Sequence, residues 1–234
     1  MIKYRENRVD IIQCVEINLT EIPDESKITK YLEHIDTKHK NIYKYVSNKL
    51  VYETEVLLPK ADRNRPSILM VLGNPAIHSV AERMFFSYER TRTEGKWREH
   101  RFWRALRDCD ILKFNRNTEN PTPKNIEKIN DYKRDCLLNG TYESDFNIFL
   151  LPYFSFPTPA SGKYSGVGGI VKIFGRKLFT KMKEDEFQRF KWIVLSNDIK
   201  NVICFHKGVR KNILEFTTDV PFRGARQIRE YMTT

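Results

Sequence analysis

Residues 67–75 read SILMVLGNP, and this stretch decides the fold. Its first six residues form a continuous apolar run, which is typical of a central strand buried on both faces. Two further apolar runs follow, FNIFLL at 146–151 and NVICF at 201–205. Alternation of such strands with helices predicts an α/β domain of three αβα layers, with helices covering both faces of a mostly parallel sheet. Apolar residues at helical spacing mark the helices: 98–109, 126–138, 170–183 and 187–195.

Further elements are predicted before and after these three strands. Residues 50–58 alternate in polarity and end at a proline, which predicts a strand. Apolar residues at helical spacing before it predict an N-terminal helical extension over residues 1–50. The main domain is therefore expected at 51–234, where a short strand at 219–222 precedes a closing helix at 224–232.

Composition and charge restrict the location and the partner. The chain has 234 residues, is 40% hydrophobic and carries 15 Phe, 11 Tyr and 3 Trp, so a sizeable core is expected rather than disorder. No apolar run approaches the roughly 18 residues of a membrane span, and residues 1–10 have no apolar signal-peptide core. We expect no membrane association, and a cytoplasmic location in the nucleoid of a bacterium or archaeon. The net charge of +11 favours a polyanionic partner such as DNA, RNA or acidic lipid.

The four cysteines predict no metal centre. They are far apart and form no CxxC pair, whereas zinc and iron–sulfur sites usually combine closely spaced ligands. Four reduced and mostly buried thiols are expected instead.

The carboxyl ends of the strands are the expected ligand site, because open parallel sheets bind ligands there. Three segments follow strands, at 73–79, 152–159 and 206–209. The first begins Gly73-Asn74-Pro75, which allows two interpretations. Asn74 caps a helix with Pro75 at the first helical position, or its amide holds a water or a polar group of the substrate.

An ordered series of motifs runs from residue 67 to about residue 213. It reads LGNP at 72–75, FFS at 85–87 and HRFW at 100–103. FLLPYFSFPT follows at 149–158, then a basic helix, then a strand that runs into His206-Lys207-Gly208. In this order the motifs resemble the uracil-DNA glycosylase superfamily, most closely its mismatch-specific uracil and thymine-DNA glycosylase branch.

The resemblance implies a monofunctional DNA glycosylase without metal or organic cofactor. Such an enzyme flips a damaged, mismatched or modified pyrimidine out of DNA and hydrolyses its N-glycosidic bond. By resemblance Asn74 orients the attacking water and Phe86 stacks on the flipped base. His206, at the expected ligand edge, is a second catalytic candidate that stabilises the leaving base or contacts a phosphate. The remaining candidates for substrate binding are Gly73, Pro75, Tyr153 and Ser155.

A DNA-binding surface is expected beside this pocket, and the protein is expected to act as a monomer. Basic residues interleave with aromatic ones between 83 and 107, a mixture that suits a nucleic-acid groove. Trp97 is the candidate wedge into the duplex. The full set of candidate DNA contacts is Arg90, Arg92, Trp97, Arg98, Arg101, Lys163 and Lys207.

Three departures from the family pattern bear on the substrate. Gly73 directly precedes Asn74, whereas the family branch has one residue between the glycine and the asparagine. Pro152-Tyr153 follows the second strand. The family's terminal loop motif, His or Asn followed by Pro-Ser, is not found in the sequence. A bulkier or modified pyrimidine is compatible with these changes, in repair or in defence against modified foreign DNA. Two alternatives stay open: a catalytically weakened nucleic-acid-binding relative, and a nucleoside or nucleotide hydrolase.

Overall fold

A computed structural model of the chain describes residues 2–5, 10–19, 25–46, 48–87, 89–90, 97–115, 118, 121–216 and 218–219. Within them the chain is mixed α/β, with a four-stranded parallel sheet, a four-stranded antiparallel sheet and a two-stranded antiparallel ribbon. The helix expected at 224–232 lies outside the described residues.

The N-terminal part forms a four-stranded antiparallel sheet. Its strands are β1 (Ile2–Arg5), β2 (Ile12–Asn18), β3 (Tyr43–Val46) and β4 (Lys49–Glu55), in the order β1-β2-β4-β3. Helix α1 (Glu25–His34) and a 3-10 turn lead from β2 to β3. The expected helical extension over 1–50 is therefore wrong except for α1 and the 3-10 turn, because β1, β2, β3 and the start of β4 also lie in this segment.

Residues 43–46 form a strand and not a helix because of the composition of this short YKYV segment, β3. The spacing of Ile42, Tyr43 and Val46 matches a helix as well as a strand, but the aromatic and β-branched residues favour the pleated conformation. The segment pairs with β4 from Tyr43–Tyr52 to Val46–Lys49. Asn48 closes this turn with a φ of 60°, in the left-handed region that Asn tolerates better than most residues. The expected boundary between residues 50 and 51 thus falls inside a paired hairpin.

The three apolar runs form parallel strands, as expected. They are β5 (Ser67–Leu72), β8 (Asn147–Pro152) and β9 (Asn201–Cys204), and the two-residue β10 (Thr218–Asp219) extends the sheet to the order β10-β9-β5-β8. A two-residue ribbon, β6 (Glu89–Arg90) with β7 (Trp97–Arg98), lies between β5 and β8 in the chain.

The helices connect these strands. They are α2 (Ile77–Ala81), α3 (Arg101–Asp108), α4 (Ile126–Asn139), α5 (Gly166–Ser196) and α6 (Lys207–Arg210). Two helices are expected at 170–183 and 187–195, with a break between them. In the structure the break within α5 lies earlier in the chain, at Gly175, whose φ is 76°. Glycine adopts this left-handed conformation without the steric cost that other residues pay.

The antiparallel sheet joins the parallel one directly. Leu57, two residues after β4, exchanges backbone hydrogen bonds with Leu150 of β8, at 2.9 and 3.2 Å. The hydroxyls of Tyr31 and Tyr43 both donate to the Pro157 carbonyl oxygen, at 3.0 and 2.8 Å. These contacts place β4 next to the carboxyl ends of the parallel strands.

The described residues also bear on cofactors and membranes. None of the described helices combines the length and the apolar character needed to cross a bilayer. Cys109, Cys136 and Cys204 are buried, Cys14 is partly buried, and all four are free thiols. Within the described ranges no cluster of three His, Cys, Asp or Glu side chains is arranged to hold a metal ion.

Candidate functional site

A cavity lies where the strand order of the parallel sheet reverses. The chain passes from β5 to β8 on one side and later to β9 on the other, so β5 and β9 flank the switch point. Ligands of open α/β sheets bind in the crevice beyond the carboxyl ends at this point. Here a cavity of about 210 Å³, which we call the strand-end cavity, opens beside Leu72, Gly73, Asn74 and Phe205.

The strand-end cavity continues into a shallower groove of about 250 Å³ that reaches Thr158 and Pro159. The two share the residues Asn74, Ala76, Ser79, Phe86 and His100. Two of the three strand-end segments expected from the sequence, 73–79 and 152–159, therefore contribute to one site, whereas no residue of 206–209 lines the cavity or the groove.

Asn74 has a fixed side chain at the strand end. Its Nδ2 donates to Thr158 Oγ1 at 2.8 Å, to the Pro75 carbonyl oxygen at 3.1 Å and to the Phe156 carbonyl oxygen at 3.3 Å. With its donors directed at these protein oxygens, Asn74 Oδ1 is the remaining atom for a ligand. Oδ1 can only accept, so it suits a water, a hydroxyl or an N–H group.

The capping interpretation of Asn74 is wrong. Helix α2 starts at Ile77, its N-cap is Ala76, and no side chain caps it. The reason is that residues 75–77 first pair with the segment after β8: Thr158 N donates to the Pro75 carbonyl at 3.0 Å, and Ile77 N donates to the Thr158 carbonyl at 3.0 Å.

Thr158 is a positioning residue that the sequence interpretation missed. It is 1% exposed, and its Oγ1 accepts from both Asn74 Nδ2 and Gly166 N, at 2.8 and 2.9 Å. No spacing rule links a residue after β8 to one after β5. Only the pairing of the two strand ends brings them together.

Replacement of Thr158 tests this role. Thr158→Val keeps the shape but removes the acceptor, so Asn74 is no longer held. For the glycosylase activity that the resemblance implies, we expect turnover to fall by about 10- to 100-fold with little change in KM. Thr158→Ser keeps the hydroxyl and is expected to restore turnover. A Thr158→Val variant that changes only thermal stability, with turnover unaffected, would contradict the positioning role.

Gly73 and His206 lie against each other across the switch point. A Cβ atom at Gly73 would come within 2.6 Å of His206 Cδ2, so only glycine allows the imidazole this close approach. Burial lowers the pKa of His206, which favours the neutral ring. Its Nδ1 is buried without a hydrogen-bond partner among the described residues. His206 therefore supports the strand end but is not among the side chains that line the strand-end cavity.

One wall of the strand-end cavity is aromatic. The Phe86 ring stacks on His100, with centroids 4.6 Å apart and planes at 16°, and contacts Phe102 at 4.4 Å. Phe86 and His100 both line the cavity. Phe86 therefore lies at the cavity, and its ring already packs against His100 and Phe102.

His100 contributes an uncharged imidazole to this wall. Its Nδ1 accepts from the Phe102 backbone N–H at 3.1 Å, which caps α3. Burial, together with the nearby Arg101, His78, Arg104 and Lys133, lowers the pKa of His100 to about 4. At neutral pH the ring is uncharged, and because Nδ1 accepts, its proton lies on Nε2.

Two expected substrate-binding side chains lie elsewhere. Tyr153 and Ser155 are 1% and 0% exposed, and neither lines the strand-end cavity. The Ser155 hydroxyl donates to Glu186 Oε1 at 2.6 Å and lies 2.7 Å from the Tyr52 hydroxyl, in the interior. Pro75 is buried and borders the adjoining groove.

The expected DNA contacts are partly described. Arg101 is exposed and lines the strand-end cavity. Arg98, Lys163 and Lys207 are also exposed. The side chains of Arg90 and Trp97, and the whole of Arg92, lie outside the described part of the chain.

Comparison of the chain with protein-family models, with curated proteins and with solved structures yields no match. The case for a function therefore rests on the motifs and on the geometry of the strand-end cavity.

Proposed function

We propose that the protein is a monofunctional DNA glycosylase that hydrolyses the N-glycosidic bond of a flipped-out pyrimidine. The observation that carries this proposal is the held Asn74 amide at the rim of the strand-end cavity. A cavity of about 150 Å³ is enough to hold a benzene ring, so about 210 Å³ suits one six-membered base with its exocyclic groups.

The proposed reaction uses positioning and electrostatics. The bond from the anomeric carbon to the base nitrogen breaks, positive charge develops on the sugar, and the base leaves with the bonding electrons. A water that donates a hydrogen bond to Asn74 Oδ1 attacks the anomeric carbon, and the proton that it loses ends on the released base. Phe86 and His100 form the aromatic wall against which the base stacks. The neutral His100 imidazole can donate to an oxygen of the leaving base through its Nε2–H.

DNA is the proposed partner, with one protein monomer acting on one site in the cytoplasm or nucleoid. The net charge of +11 attracts a polyanion, and Arg101 lies exposed at the cavity where a phosphate next to the flipped base would pass. We also infer a three-layer αβα arrangement, since β5 and β8 are buried on both faces.

The test is an excision assay on a panel of end-labelled DNA strands. The panel contains uracil, thymine mismatches and modified or glucosylated cytosines, and alkali cleaves the strand wherever an abasic site forms. We expect wild-type protein to produce cleavage at one or more of these bases, with the Asn74→Ala variant as the control for a contaminating enzyme.

The same samples separate the alternatives. DNA binding with a steep salt dependence but no cleavage of any substrate would indicate a nucleic-acid-binding relative without activity. Cleavage of free nucleosides, with no salt-dependent DNA binding, would indicate a small-molecule hydrolase. Either result would overturn the glycosylase proposal.

A further inference from the structure

Glu55, the last residue of β4, brings a carboxyl group from the antiparallel sheet to the strand-end cavity. It is 3% exposed and belongs to the cavity wall together with Asn74, Phe86 and His100. Its Oε2 is buried and has no hydrogen-bond partner among the described residues. A buried polar atom left without a partner destabilises a fold, and the residue that carries this one lines a cavity, so a ligand that completes the carboxyl group is expected there.

The surroundings of Glu55 favour the uncharged acid. Burial raises the pKa of the Glu55 carboxyl well above its usual range. The cavity walls around it are largely apolar, with Leu72, Phe102 and Phe205 among them. The other titratable groups of this cavity are His100, which is neutral at pH 7, and Arg101, whose side chain is exposed at the mouth.

A neutral carboxylic acid has one O–H donor beside one carbonyl acceptor. This pair matches the adjacent donor and acceptor on the Watson–Crick edge of a nucleobase. We propose that the Glu55 carboxyl group hydrogen-bonds the Watson–Crick edge of the base that occupies the strand-end cavity. This inference rests on the proposed function, because it takes a nucleobase as the occupant.

The chemistry of the acid sets the substrate class. Either oxygen can carry the proton, so Glu55 matches the acceptor–donor edge of a cytosine-type base and the donor–acceptor edge of a uracil-type base alike. A base substituted at N3 presents neither edge. The site therefore takes pyrimidines of both types whose N3 is unsubstituted, and a group at C5 does not interfere with this contact.

The test measures binding of small bases to the full-length protein, so it does not depend on cleavage. The probes are 1-methylcytosine, 1-methyluracil and 1,3-dimethyluracil, whose N1-methyl group stands for the sugar. We expect the first two to bind wild-type protein with similar affinity and 1,3-dimethyluracil to bind at least about ten-fold more weakly.

Two substitutions of Glu55 complete the test. Glu55→Leu removes both hydrogen bonds and is expected to weaken binding of 1-methylcytosine and 1-methyluracil by about 10- to 100-fold. Glu55→Gln keeps a donor and an acceptor and is expected to bind both bases within roughly three-fold of wild type. Glu53→Leu, on the same strand but outside the cavity wall, is the matched control and is expected to bind like wild type.

Each result has a definite meaning. Any of three results would overturn the proposal. Glu55→Leu could bind 1-methylcytosine and 1-methyluracil as tightly as wild type does, or it could lose as much affinity for 1,3-dimethyluracil as for these two bases. The third result is that wild-type protein binds none of the bases. Glu55-dependent binding without DNA cleavage would sustain it and refute the glycosylase. Cleavage that requires Asn74, together with Glu55-independent base binding, would sustain the glycosylase and refute the role of Glu55.

Discussion

Asn74→Ala is expected to lower the rate of base excision by about 100- to 1000-fold, as removal of one preorganised hydrogen-bonding group from an active site typically does. The substitution removes Oδ1, the atom that the proposed reaction uses to hold the attacking water. It also removes the Nδ2 donor to Thr158 Oγ1. The measurement is the single-turnover rate with protein in excess, on whichever base the excision panel identifies.

A loss of folding must be separated from this effect. Asn139→Ala is the matched control, because Asn139 is exposed at the end of α4 and its Nδ2 donates to the local Asp135 carbonyl oxygen. Both variants are expected to unfold cooperatively near the wild-type temperature. Asn74→Ala excision within about three-fold of the wild-type rate would show that Asn74 holds the loop and not the water.

The parallel sheet was predictable because its signal is local. A strand buried on both faces needs a continuous apolar run, and 67–72, 146–151 and 201–205 are such runs. The strand ends then follow from the direction of the chain, which is why Gly73 and Asn74 could be assigned to the site in advance. No comparable pattern marks which side chain at those ends faces the cavity.

The missed part of the site depends on long-range contacts. Glu55 reaches the cavity because the segment after β4 pairs with β8 through Leu57 and Leu150, a register that no periodicity within either segment specifies. The same argument applies to Thr158, which is held by backbone pairing with residues 75–77. Tyr153 and Ser155 were assigned to the ligand by their place after β8, but their side chains fill the interior.

Glu186→Leu is expected to destabilise the protein by about 3–5 kcal/mol, because it removes one partner of a buried ion pair. Arg189, 5% exposed, pairs with Glu186 at 3.0 Å and would lose its counterion. The Tyr4 hydroxyl, at 2.8 Å from Glu186 Oε2, and the Ser155 backbone N–H, at 2.6 Å from Oε1, would lose their acceptor. At about 2–4 °C per kcal/mol for a chain of this size, Tm is expected to fall by roughly 6–20 °C.

Two further variants identify the cause. Glu184→Leu, exposed two residues earlier on α5, is expected to leave Tm within about 2 °C of wild type. Glu186→Leu combined with Arg189→Met removes both charges and is expected to recover part of the loss, since an apolar pair of similar volume does not leave a buried charge unpaired. A double variant less stable than Glu186→Leu would instead mean that Arg189 is held mainly by the Pro152 carbonyl oxygen.

The Glu186 contacts also link stability to the site. Ser155 donates to Glu186 of α5 and contacts Tyr52 of the antiparallel sheet, and three residues later Thr158 accepts from Asn74 at the strand-end cavity. The segment 155–158 therefore connects α5 and the antiparallel sheet to the cavity. Well below its lowered Tm, Glu186→Leu is therefore expected to excise more slowly than wild type, whereas Glu184→Leu is not. Excision by Glu186→Leu at the wild-type rate under those conditions would show that Asn74 is positioned by Thr158 and its own neighbours alone.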